Sequence, residues 1–567
     1  MGDSADPESP TARSQTPLAA VEEREVDQAA VTATGDVSDQ YPHGMKLALI
    51  MVSLFMSAFL AALDRTILAT AIPKITDDFN SIGDIGWYAS AFLLTGCSFM
   101  LFFGKMYTLY NIKWIFLTCI VIFEAGSAIC GAAPNSKTLI AGRAVAGLGS
   151  AGMFSGIVII GTHVVPLKNR PLFQAIFGAV FGISSVIGPL LGGVFADHVS
   201  WRWCFYINLP IGGITIVILM LFLKLKFPVR ANEMSYRQQL NELDPLGTFI
   251  FLPACVSLLL ALKWGGTEKP WNNRDVIACL VLSVVLFIAF IIVQRIKGET
   301  ATVPPRIIKQ RSIASGLYSS TCTGGALLIM VFYVPIWFQS VRGVSAVQSG
   351  IDVIPMVLSL SAGAPTGGIF TFKTGYYVPC MFASTIIASI GLGLITTWDI
   401  HTSQAKWIAY QFLFGYGLGI GMQQPNMAAQ TVLHKKDVPI GSSLIFFGQS
   451  LGGAIFASVG QSIFTNKLQA NLVAVGGLNV PAILGGGATN LKHVVPPEKL
   501  PRVLVGYNDA LIKTFYAGLA LICAGILGAA TMEWKSIKKG EGQGDKRVDS
   551  GPQATGPQAT TTEVEKA

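Results

Sequence analysis

The chain has 567 residues, of which 51% are apolar and only 13% charged, and its mean hydropathy is +0.55. Soluble domains carry roughly a quarter of their residues as charges, so this balance excludes an ordinary water-soluble enzyme. The formal charge of +8 is modest for the length, and it fits loop bias in a membrane protein better than nucleic-acid binding.

Apolar windows that are almost free of charge recur along the chain. A bilayer core of about 30 Å needs about twenty helical residues. Fourteen windows meet that length, roughly 46–66, 87–107, 114–132, 139–161, 173–196, 203–223, 246–262, 276–294, 313–338, 350–371, 378–397, 407–431, 442–464 and 510–532. The expected fold class is therefore an all-α polytopic membrane protein. The nine cysteines lie within these windows or at their ends, which argues for packing rather than a disulfide framework or a metal site.

Residues 1–45 are acidic and lack apolar periodicity, so a disordered tail is expected, with the first span acting as insertion signal. That span places Ser53, Ser57 and Asp64 on one face. A carboxylate within a membrane is costly and marks an ion or substrate path, unless Asp64 sits at the interface and pairs with Arg65. Span three carries Glu124, which either titrates toward the bundle or pairs with a polar neighbour. In span four, Arg143, Gly147, Ser150 and Phe154 share a face, and Arg143 must meet a cavity or an anion, with Asp64 and Glu124 both available.

Span five, around Gly178 to Asp197, holds five glycines and a proline, a composition that would cripple a soluble helix. Gly178, Gly182, Ser185, Pro189, Gly192, Gly193 and Ala196 fall within an arc of about 100°, which lets another backbone approach closely in lipid. The run Trp201 to Gly212 follows, its two tryptophans expected as interfacial anchors. Spans seven and eight are flanked by the basic segments 224–245 and 294–311. In span twelve, Tyr416, Gly419, Gln423, Asn426 and Gln430 lie within about 80° of arc, and Pro425 should bend the helix. Those amides either line a ligand cavity or bond neighbouring helices. In span thirteen Gly448, Gly452 and Gly453 repeat the spacing of Gly188, Gly192 and Gly193. Segment 465–509 reads as a long external loop with room for one short surface helix, and the tail with its GPQAT repeat as disordered. Lysine and arginine concentrate in the short loops on the N-terminal side, so both termini are expected in the cytoplasm.

Ser184 to Gly193 resembles the fifth-helix antiporter motif of the major facilitator superfamily, G-x-x-x-G-P-x-x-G-G. Gly188, Pro189, Gly192 and Gly193 match it, Ser184 stands in for the first glycine, and Gly182 lies nearby. Leu63 to Pro73 resembles the first-helix motif of the fourteen-helix drug:proton antiporters, where Asp64 matches the position implicated in proton coupling. Gly142 to Gly152 resembles the superfamily's fourth-helix motif with its membrane arginine, and Trp201 to Gly212 the entry to the sixth helix. Gly104 to Lys113 departs from the superfamily's basic loop motif, since Thr108 occupies the usual acidic position.

The resemblance covers about 45–535 and implies the major facilitator fold. Two six-helix lobes (46–223 and 312–532) would be joined by a linker with two extra helices (224–311), with tails at 1–45 and 533–567. It implies a proton-coupled exporter of a drug, toxin or secondary metabolite, a lone chain in the plasma membrane or, as the alternative, in a vacuolar or vesicle membrane. Its partners are the lipid bilayer, a small organic substrate and protons, without cofactor, metal or nucleic acid. Asp64, Arg143 and Glu124 would couple protons, Gly182, Gly188, Pro189, Gly192 and Gly193 form the antiporter motif, and Tyr416, Gln423, Asn426 and Gln430 line the substrate cavity. An iron-chelate antiporter, a nutrient importer and a transport-dead sensor are the alternatives. The absence of a phosphate loop argues against ATP as energy source.

Overall fold

Backbone polar groups find no water in a bilayer core, so a spanning chain must satisfy them within helices or closed barrels. The computed structural model describes residues 41–538, apart from 80, 82–83, 226–231, 233, 267–268, 481–482 and 484–494. Most of the expected disordered tails, and the glycine cluster at 485–487, lie outside the described residues. Within them the chain is helical, with one isolated bridge between Gly265 and Lys269.

The first long helices are α1 (Gly44–Phe79), α2 (Ile85–Leu109), α3 (Ile112–Gly131), α4 (Ser136–Val164), α5 (Arg170–His198) and α6 (Asn208–Phe222). Two more follow, α7 (Pro245–Trp264) and α8 (Arg274–Lys297). The last are α9 (Arg311–Ser340), α10 (Ile354–Thr374), α11 (Val378–Ile395), α12 (Gln404–Met422 and Gln424–Val432), α13 (Val438–Val475) and α14 (Leu500–Thr531).

Among the described residues, 13 helices are long and apolar enough to cross a membrane, where the sequence led us to expect fourteen. The missing one is α12. Its glutamines, Lys406 and glycines dilute the hydropathy, and it breaks at Gln423, two residues before Pro425, whose ring cannot continue the helical ladder. The expected bend is thus a break. Helices also outrun their windows: α1 continues to Phe79, α13 to Val475, and α14 begins at Leu500, so much of the segment read as an external loop is helix.

Helices α1–α6 pack among themselves, α1 on α4, α5 and α6, and α4 on α2 and α3. Helices α9–α14 do likewise, with α9 against α13 and α14, and α12 against α10 and α11. One large apolar core, with Phe103, Phe116, Phe123 and Ile157, reaches across the seam to Leu444, Ile445 and Phe446 of α13, and a second, with Trp337, Trp398, Phe414 and Phe515, lies within the second group. Among the described residues, helix α8 packs chiefly on α7, through contacts such as Ser283 Oγ donating to the Ala254 carbonyl at 3.0 Å. Its remaining surface, Val281, Leu282, Val284, Val285, Ile288, Ile291 and Ile292, is exposed, as a lipid-facing helix requires.

The two groups meet through α5 against α10 and α2 against α13, in the halves nearest the start of α1. Small residues make this possible. A Cβ on Gly104 would fall 2.5 Å from Ser443 Oγ, and one on Gly368 would fall 2.4 Å from the Ala175 Cβ. Ser443 Oγ donates to Ser155 Oγ at 3.0 Å across the same seam. The linker reinforces this end. Lys105 donates to the carbonyls of Ala301 (2.9 Å) and Thr300 (3.2 Å), and Arg306 reaches Asp437 (2.8 Å) and Glu299 (3.2 Å). Lys105 therefore ties the last turns of α2 to the segment just after α8, although Thr108 lacks the charge usual in that motif.

Candidate functional site

Asp64 on α1 and Arg143 on α4 are 0% and 1% exposed, and their charges meet at 2.6 Å. The sequence left Asp64 a choice of arginines; Arg143, not Arg65, is its partner. Glycine sets up the meeting. A Cβ on Gly147 would lie 2.3 Å from the Phe92 carbonyl oxygen, so α4 comes close to α2, and Thr95 Oγ1 donates to the Ala144 carbonyl at 2.8 Å. Arg143 Nε then donates to the Tyr88 carbonyl at 2.9 Å, and its guanidinium lies 4.6 Å from the Phe92 ring centre. Such a pair is better tolerated in a dry interior when further groups share the charge, here the Tyr88 carbonyl and the Phe92 ring.

Asn208, at the start of α6, extends the network, donating to Asp64 Oδ1 at 3.5 Å and to Ser127 Oγ at 3.1 Å. Sequence reasoning passed over Asn208, although it lies inside the quoted Trp201–Gly212 run. Glu124 sits one helical turn from Ser127 on α3. It is buried beside Gly212, where a Cβ would fall 1.9 Å from Glu124 Oε1. Neither carboxylate oxygen of Glu124 has a hydrogen-bond partner among the described residues. It is the acid of this cluster that can exchange a proton without breaking an existing bond.

Trp201 is not an interfacial anchor. It is 4% exposed, donates from Nε1 to Asp78 Oδ2 at 2.7 Å, and lies under the Arg202 guanidinium at 4.4 Å. Arg202 in turn donates to the Ala133 carbonyl at 2.7 Å, so the run locks α1, α3 and α6 together at the end far from the seam. Trp203 is 49% exposed and keeps the expected surface position.

The small strip of α5 divides into three. Cβ atoms on Gly178 and Gly182 would strike Ala364 and Ser361 of α10, across the seam. Those on Gly188 and Gly192 would strike Thr66 and Thr70 of α1, within the first group, while Gly193 has nothing within 4 Å. Pro189 lies inside the helix between them. Ser184 takes the motif's first-glycine position and bonds α1 in both directions, accepting from Thr66 Oγ1 at its carbonyl (3.3 Å) and donating to the Phe59 carbonyl (3.4 Å). In α13, Gly452 meets the Thr321 carbonyl of α9, and Gly448 and Gly453 meet Leu317 and Leu328 of the same helix. Gly448 and Gly452 thus pack on α9 as Gly188 and Gly192 pack on α1, whereas Gly453 meets a side chain where Gly193 meets nothing.

Along α12, Tyr416 stacks on Phe412 with ring centres 5.9 Å apart and donates to Thr366 of α10 at 3.2 Å. Gln423, Asn426 and Gln430 are buried, and Gln423 Oε1, Asn426 Oδ1 and Gln430 Nε2 have no partner among the described residues. Gln423 lies at the sealed seam, in a crevice shared with Gln174, Ala175, Ala364 and Gly368.

Above that seam four phenylalanines join the groups. Phe154 of α4 packs on Phe177 (6.3 Å) and Phe181 (6.5 Å) of α5 and on Phe446 (6.5 Å) of α13. Two helical groups, sealed at one end through short-side-chain helices and holding a buried acid–base network, define an all-α multi-pass membrane carrier. Residues 54–457 match the family model described as Major Facilitator Superfamily, and the chain belongs to that family.

It is 53% identical over 87% of its length to the MFS-type efflux pump MFS1 of Arthroderma benhamiae, covering 92% of that protein. It is 48% identical to the efflux pump aflT of Aspergillus parasiticus over 88% of its length and 97% of that protein. The rubrofusarin-specific efflux pump aurT of Gibberella zeae is also 48% identical, over 88% of this chain and 91% of that one. Among solved structures, the human organic anion transporter MFSD10 superposes with a TM-score of 0.53 at 12% identity, covering 84% of this chain and 100% of that one. The proton:xylose symporter XylE gives 0.53 at 10% identity, over 87% and 98%. These two establish likeness of fold alone.

Proposed function

We propose that this chain exports a small organic molecule of the drug, toxin or secondary-metabolite class in exchange for protons. The observation that carries the reading is the buried Asp64–Arg143 pair, linked through Asn208 and Ser127 toward the unpartnered Glu124. Relatives at about half identity bear efflux-pump names, which supports export as the direction. Protonating Asp64 frees Arg143 from its counter-charge, and the α1–α4 contact can then rearrange while the two six-helix groups rock about the central site. The proton gradient is the sole energy source, and one chain suffices.

One pH unit contributes about 1.4 kcal/mol per proton, and 100 mV about 2.3 kcal/mol per charge moved. Together they support a ratio of roughly several hundred for a neutral ligand exchanged with one proton. In inside-out vesicles an imposed proton gradient (acid inside) should drive substrate uptake, and a protonophore should abolish it. ATP-dependent uptake indifferent to the protonophore would overturn the reading.

Both termini lie in the cytoplasm of a plasma-membrane protein in this reading, because the cationic loops crowd the end where α1 begins. The sealed seam then faces the cytoplasm. Epitope tags at both ends should resist protease in intact cells and be cleaved after permeabilisation. A tag lost from intact cells contradicts this orientation.

A further inference from the structure

We infer that Arg65 is the anion-recognition residue of the central site, and that the exported molecule is a planar aromatic anion, a carboxylate or phenolate. This rests on the export reading above and names its substrate class. Arg65 follows Asp64 in the chain but points about 100° further round α1. It is partly exposed, and its guanidinium lies 5.9 Å from the centre of the Phe154 ring. Among the described residues it has no ion pair and no hydrogen bond.

The carboxylates nearby are not its partners. Asp64 is held by Arg143 and Asn208, and Glu124 lies on the α3–α6 side with both oxygens unbonded. An arginine in a membrane interior is costly even on the lenient insertion scale, and a single cation–π contact offsets only part of that cost. A carboxylate or phenolate would engage the planar donor fork of Arg65. Its ring would lie against Phe154, which already touches Phe177, Phe181 and, from the opposite group, Phe446. A ligand placed there contacts both groups at once. A cationic ligand would meet like charge.

The test uses full-length protein in liposomes and two isosteric probes, 2-naphthoate and 2-naphthamide. Wild type should bind the carboxylate about tenfold or more tightly than the amide. Arg65→Gln should remove that preference while amide affinity stays within about twofold, and Arg65→Lys should retain part of it. Equal binding of the two probes by wild type, no binding of either by monodisperse wild type, or a preference that survives Arg65→Gln overturns the proposal. Gradient-driven uptake measured on the same preparations separates the two readings. Protonophore-sensitive uptake without carboxylate preference removes the anion site and keeps export. Arg65-dependent binding without gradient-driven uptake keeps the anion site and removes export.

Discussion

Asp64→Asn should yield a membrane-inserted protein in which a proton gradient no longer drives transport, with uptake reduced by about 100-fold or more. The substitution keeps the shape of the side chain and removes its charge, leaving Arg143 buried at 1% exposure without a counter-ion. Removing one partner of a buried pair costs about 3–5 kcal/mol, so the single variant should also melt earlier. Arg143→Gln, which strands Asp64 instead, should be destabilised for the same reason. The double variant Asp64→Asn with Arg143→Gln carries neither stranded charge. It should recover most of the lost thermal stability, since replacing both members of a buried pair is often neutral. Transport then tells folding from coupling. If the pair only holds α1 against α4, the stable double variant transports like wild type; if it carries the proton, that variant stays dead. Gradient-driven uptake near the wild-type rate in the double variant would sink the coupling assignment.

The broad layout was legible because it follows from composition. Twenty-residue apolar windows leave a helix few alternatives in lipid, and α1 to α11, α13 and α14 appear where those windows lie. Span ends were less legible. Hydropathy marks where the bilayer ends, whereas α13 and α14 continue past it because residues such as Leu468, Leu472, Val503 and Tyr507 still bury against each other's bundle. The site divides the same way. That Arg143 needs an anion follows from electrostatics alone, but the choice between Asp64 and Glu124 depended on how closely Gly147 lets α4 approach α2. Asn208 lies 144 residues from Asp64, and no local periodicity brings them together. Adjacency in sequence suggested that Arg65 pairs with Asp64, but helical geometry turns neighbours apart. Trp201 read as an anchor by residue type, yet Asp78 and Arg202 draw it inward.

The adjacent glycines at 192 and 193 are equivalent in the motif but not in space, and their substitutions should separate accordingly. A Cβ on Gly192 would fall 2.4 Å from the Ile67 carbonyl oxygen and 2.3 Å from Thr70 Oγ1. The first of these is backbone and cannot swing aside, so Gly192→Ala must push α5 away from α1. Overpacking of that kind costs about 1–3 kcal/mol, and Gly192→Val should cost more. Gly188→Ala should fall between, because its obstacle at 2.1 Å is the Thr66 hydroxyl, which can rotate but would give up its bond to the Ser184 carbonyl. Gly193 meets nothing within 4 Å, and alanine there should be neutral or stabilise the helix by up to about 1 kcal/mol. Melting temperatures in detergent should therefore rank Gly193→Ala at or above wild type, then Gly188→Ala, then Gly192→Ala. Equal loss at 192 and 193 would show that the strip acts as a whole rather than through the α1 contact. Transport by Gly193→Ala reads the other half of the cycle. If the open space beside Gly193 closes when the carrier turns over, a stable Gly193→Ala protein will bind substrate normally and transport it slowly. Wild-type turnover would show that this face stays open throughout.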